Sequence, residues 1–157
     1  MLIIKRSHWL NLAMIGALLA IAFAGHHYSP LLLPKADVAA VVAPGCDLHK
    51  GPCAATWPQG GRMELSITPH PIPYLHPLRV EVAVGGVQPG KVEVDFAGET
   101  MNMGYNRIEL KPSGGGRHAG EASLPVCVSG SMDWVATVIV EADGKRISAP
   151  YRFATGH

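Results

Sequence analysis

From Met63 onward the chain alternates apolar and polar residues with a period of two, the pattern of strands with one face for a core and one for water. Met63 to Thr68 carries Leu65 and Ile67, and Leu78 to Val84 sets Val80, Val82 and Val84 against Arg79 and Glu81. Lys91 to Phe96 alternates Val92, Val94 and Phe96 with Lys91, Glu93 and Asp95, and Arg107 to Leu110 continues the pattern. Ala119 to Leu124, Trp134 to Glu141 and Arg146 to Phe153 complete the set. Gly85-Gly86, Pro89-Gly90, Gly114-Gly115-Gly116 and Asp143-Gly144 punctuate these segments, the last being a strong hairpin signal. Seven short alternating strands predict a mainly β chain, an immunoglobulin-like β-sandwich of about seven strands spanning residues 46–157, with Trp134 as its largest core side chain. No cysteine follows Trp134, so the Cys-Trp-Cys order of antibody domains is absent around it.

A different segment precedes it. Lys5 and Arg6 stand before an uncharged, mostly apolar stretch from Trp9 to Ala24. With Gly25 to Tyr28 at the interface, residues 9–28 approach the length that crosses a hydrocarbon core of about 30 Å, leaving 1–8 as a short cytoplasmic N-terminus. The competing reading is a signal peptide, with Ala22-Phe23-Ala24 as a cleavage site. The apolar stretch is longer than the usual 7–15 residues of such a region, which favours a retained anchor. Both readings export the rest of the chain, because Lys5 and Arg6 stay on the cytoplasmic side. The expected arrangement is therefore single-pass, with the C-terminal domain outside the inner membrane. Residues 29–45, rich in Pro, Ala and Val, read as a semi-rigid linker, though apolar enough that part of it could pack on the domain.

The net charge of +1, from 13 basic and 12 acidic side chains without a basic tract, argues against nucleic acid as a partner. Enzyme signatures are missing: there is no Walker loop, no G-x-G-x-x-G after a strand, no H-E-x-x-H and no G-x-S-x-G. No catalysis is expected.

Three cysteines, Cys46, Cys53 and Cys127, allow three pairings in an oxidising compartment and leave one thiol over. Chemistry concentrates in Gly98-Glu99-Thr100-Met101-Asn102-Met103-Gly104-Tyr105-Asn106, a glycine-flanked turn where core-filling methionine is not expected. In an extended backbone Met101 and Met103 share a face, so two thioethers could converge on one ion. Met132 lies in another turn-like stretch, five residues after Cys127. Thioethers and thiolates are soft ligands that select Cu(I). The plainer reading is that these methionines fill gaps in the protein. Among eight histidines, His49 stands between two cysteines and is the first imidazole to consider as a further ligand.

The stretch Val94 to Leu110, with Leu124-Pro125-Val126-Cys127 and Met132-Asp133-Trp134, resembles uncharacterised single-span bacterial exported proteins similar to FixH- and YtkA-like domains. The resemblance covers roughly Cys46 to Phe153. It implies copper handling during cytochrome oxidase assembly beside SenC-type chaperones, with Met101 and Met103 in the metal-facing loop and Cys127 and Met132 nearby. The expected function is thus a membrane-anchored copper-binding or copper-transfer accessory protein. A candidate partner is a SenC-type copper chaperone or an oxidase subunit. The alternative is a metal-free interaction module offering a sheet edge or the methionine loop to a membrane complex.

Overall fold

A computed structural model describes residues 2–32, 36–73, 75–125 and 131–156, and the chain divides into two compact units, 1–35 and 36–157. The first unit is one helix, α1 (Leu2–Leu32). Within it His8–His26 is long and apolar enough to cross a membrane. Trp9, Leu12, Ile15, Leu19 and Phe23 all stand exposed, so the described part of the helix is apolar around its circumference, the arrangement lipid tolerates and water does not.

The second unit is built from ten strands. They are β1 (Val38–Ala39), β2 (Val41–Val42), β3 (Cys53–Trp57), β4 (Gly61–Thr68), β5 (Leu78–Gly85), β6 (Lys91–Gly98), β7 (Arg107–Gly114), β8 (Arg117–Ala122), β9 (Met132–Ala142) and β10 (Lys145–Thr155). Each of the seven strands expected from the alternation is present, as β4 to β10. In β4 and β5 every second residue is buried, as the sequence pattern requires. The Asp143-Gly144 turn joins β9 to β10, and both residues have positive φ (51° and 70°), the conformation that makes Asp-Gly a hairpin pair.

The seven-strand sandwich is corrected to a single ten-strand ladder, nearly barrel-shaped, in the order β1-β10-β9-β6-β7-β8-β5-β4-β3-β2. Two features cause this. β7 pairs with β6 through Arg107 to Leu110 and with β8 through Lys111 to Gly114, bending at an irregularity between Pro112 and Gly114, so the two halves share a strand. The ladder's two ends, β1 and β2, belong to one short segment. Val38 and Ala39 run parallel to Ile147 and Ser148 of β10, whereas Val41 and Val42 pair with Thr56 and Ala55 of β3. Asp37 N–H, Ala40 N–H and Ala43 N–H donate to Arg146, Ser148 and Ala54 carbonyls, and Ala40 is buried. Residues 37–43, expected within a linker of 29–45, thus close the seam of the barrel. Among the described residues, Cys46 and Cys53 lie at bonding distance, with Cα atoms 5.6 Å apart, pinning the loop after β2 to the start of β3.

The core is one cluster of side chains from the inward faces of these strands. Trp134, Tyr151 and Phe96 are its largest fully buried members. Trp134 Nε1–H donates to Thr155 Oγ1 at 3.1 Å, so the indole is buried with its polar group satisfied. Tyr151 is 1% exposed. Burial, and secondarily the negative charge of Glu64, push its phenol above the ordinary value of 10. The folded state therefore favours the protonated phenol. Its stabilising contribution is complete below the unfolded pKa near 10 and is lost as pH rises beyond it, by up to about 1.4 kcal/mol per pH unit. Alkaline urea titrations should show a stability loss above pH 10 that Tyr151→Phe reduces; an identical profile in the variant would contradict the assignment.

Candidate metal site at the loop end of the barrel

Strand directions sort the connections to two ends. The short turns at 58–60, 86–90, 115–116 and 143–144 lie at one end, where Asp37 also meets Arg146. At the other end β4 finishes at Thr68 and β5 starts at Leu78, β6 finishes at Gly98 and β7 starts at Arg107, β8 finishes at Ala122, and β9 starts at Met132 opposite Thr155 of β10. The loop end therefore gathers the disulfide loop, the Pro-rich 69–77 loop and the methionine loop. Met101, Met103, Met132 and His49 all belong to this end. Cys127 falls on 126–130, outside the described residues.

The methionine loop, residues 99–106, is tied down along its length. Glu99 N–H donates to the Asp133 carbonyl at 2.9 Å, and its carboxylate accepts from Arg152 Nε at 2.8 Å. Asn102 Oδ1 accepts from Gly104 N–H at 2.8 Å, a side-chain-closed turn. Asn106 donates through Nδ2 to the Ser123 carbonyl, while its own carbonyl accepts from Phe96 N–H. Arg107 bonds Asp95 at 3.1 Å and lies 5.5 Å from the Tyr105 ring centre. The loop folds over a depression of about 380 Å³ lined by residues 97–104.

Within this frame the three methionines differ. Met101 is 47% exposed, Met103 is half-buried against the core, and Met132 is 8% exposed. Met132 is not in a turn, as its neighbours suggested, but is the first residue of β9 with its side chain directed inward. Met103 and Met132, 29 positions apart, come together at Gly98: a methyl group placed on the Gly98 α-carbon would lie 2.1 Å from Met132 Cε and 3.3 Å from Met103 Cγ. The same methyl would stand 2.6 Å from the Met101 carbonyl oxygen, so the loop backbone also passes close. Met103 and Met132 are thus the pair whose side chains the structure brings together; Met101 reaches Gly98 through its backbone carbonyl and, with Met103, lines the depression. Gly98 is the residue that sequence reasoning passed over; its signal was a glycine ending a strand pattern where another backbone approaches.

His49 has a different role. Its Nε2–H donates to the Ala154 carbonyl at 2.7 Å, and its Nδ1 accepts from Ile72 N–H at 3.2 Å. One neutral tautomer satisfies both bonds, and both ring nitrogens are then engaged. The ring ties the disulfide loop to the Pro-rich loop and to β10, edge-on to Phe153 at 6.4 Å. The structure therefore does not join His49 to the methionines. Beside it, the Asp47 carboxyl is held below its ordinary value by its hydrogen bond from Lys50 and by the His49 backbone N–H. His49→Phe should cost about 1–3 kcal/mol, since it strands a backbone donor and a backbone acceptor in part-buried positions. Urea denaturation at neutral pH measures this; an unchanged midpoint would contradict the tie.

Among the described residues, no group of three or more His, Cys, Asp or Glu side chains is placed to hold a metal ion. Around Gly98 the donors that meet are the thioether side chains of Met103 and Met132 and the Met101 carbonyl, and thioether sulfur suits a soft monovalent ion.

No family model matches the chain, and no curated protein matches it. Among solved structures, the crystal structure of an engineered protein is similar over 59% of this chain at 17% identity, with a TM-score of 0.45. The chain spans about a fifth of that protein's length, 20%.

Proposed function

We propose that the protein is a membrane-anchored, periplasmic copper-handling accessory protein that binds or passes Cu(I) during respiratory oxidase assembly. The observation that carries this reading is the meeting of Met103 and Met132 over Gly98, with Gly98, Met101 and Met103 lining one depression. Two thioethers from distant parts of the sequence form the kind of soft, neutral donor set that prefers Cu(I). Such a set needs no deprotonation and cannot be lost to disulfide formation outside the cytoplasm. An open site of two or three thioethers also holds its ion less firmly than a closed cage, which suits transfer to a chaperone or an oxidase subunit. The apolar helix His8–His26 and the paired Cys46 and Cys53 fit an anchored, exported domain. Cys127, left over by that pairing, is the candidate thiolate that sequence adds to the set.

A second reading has its own observation. Tyr105, 81% exposed, and Met101, 47% exposed, stand on the same loop, apolar surface that would suit contact with a protein partner without any metal. Anaerobic competition of the full-length chain in detergent with a chromogenic Cu(I) chelator separates the two. One-to-one binding that Met101→Leu/Met103→Leu/Met132→Leu abolishes supports copper handling. No competition by the wild-type chain removes that function and leaves the interaction module.

A further inference from the structure

We propose that Gly98 positions the methionine site, its bare α-carbon being the floor on which Met132 from the core and Met103 from the loop meet, with Met101 as the solvent-side ligand through which the ion is exchanged. The inference rests on the copper reading above. Gly98 closes β6, where it pairs with Trp134 of β9. It is not among the glycines with positive φ, so its backbone would accept any residue and the reason for glycine there is space. That space is filled by the Met132 methyl, the Met103 side chain and the Met101 carbonyl, all three within reach of a single added carbon. Any side chain at 98 must displace the end of Met132 and lift the loop backbone, separating the two thioethers. The order of exposure, Met132 buried, Met103 half-buried and Met101 47% exposed, gives the set an inside and an outside. An acceptor offering its own soft ligand would meet Met101 first, and the ion would leave Met132 last.

The test compares four full-length variants in detergent by anaerobic Cu(I) competition. The control is Gly85→Ala, a strand-end glycine without positive φ where an added methyl meets only the Arg62 carbonyl at 4.0 Å. Gly98→Ala and Met132→Leu are each expected to weaken Cu(I) binding by about tenfold or more, Met101→Leu by a smaller factor of about threefold, and Gly85→Ala not at all. A copper-free readout guards against a Gly98→Ala chain that fails to fold: in metal-free wild type carrying ¹³C-methyl methionine, the Met132 methyl should show a nuclear Overhauser effect to the Gly98 α-protons. Wild type that binds Cu(I) with Gly98→Ala binding equally well, or a missing Met132–Gly98 effect, overturns the positioning role while leaving copper handling intact. Met101→Leu weakening binding more than Met132→Leu would reverse the proposed inside and outside. Wild type that takes up no Cu(I) overturns both proposals.

Discussion

Trp134→Ala is expected to destabilise the β unit by about 3–5 kcal/mol, the range for truncating a large buried aromatic side chain. The indole is fully buried in β9 and pairs in register with Gly98 of β6 and Phe153 of β10, so its removal hollows the core directly beneath the loop end. It also leaves Thr155 Oγ1, in a buried position, without the indole N–H it now accepts. Trp134→Phe keeps most of the volume and loses only the hydrogen bond, so it should cost well under half as much. Guanidinium unfolding of the two variants checks the order; equal costs would mean that the hydrogen bond, not packing, is the main contribution of this residue.

The second large effect concerns the segment that closes the barrel. A chain beginning at Cys46 lacks β1 and β2, and with them the backbone bonds from Asp37, Ala40 and Ala43 and the Asp37 carboxylate that accepts from Arg146 N–H. Four such bonds and the buried Ala40 should be worth about 3–5 kcal/mol. The loss also bares the edges of β10 and β3, which are templates for pairing with another chain. The chain from Cys46 is expected to unfold at much lower denaturant than the chain from Ala36 and to associate on concentration. Equal midpoints would show that residues 36–45 are the spacer their composition suggested.

These expectations mark where the sequence was informative. Strands β4 to β10 could be read because alternation such as Val92, Val94 and Phe96 against Lys91, Glu93 and Asp95 records a half-buried sheet locally. β1 and β2 are two residues each, too short to carry a period, and β1 pairs with Ile147 and Ser148, more than a hundred positions away, while β2 pairs with Thr56 and Ala55. Closure into a barrel was hidden for the same reason, since it depends on which edges one short segment happens to join. At the candidate site, the loop methionines stood out because glycines flank them. Met132 was found for the wrong local reason, as a turn residue, whereas it opens a strand and points inward. His49 looked like a ligand from its place between cysteines, but its ring is claimed by Ile72 and Ala154, 23 and 105 positions distant. Gly98 was invisible as a site residue because its importance lies in what it lacks.

The central claim, that thioethers gathered over Gly98 hold copper, is tested most directly by X-ray absorption at the copper edge on the full-length chain loaded anaerobically with one equivalent of Cu(I). The account predicts a first coordination shell dominated by sulfur that loses sulfur scattering in Met132→Leu. A shell of nitrogen and oxygen alone, unchanged in that variant, would contradict it.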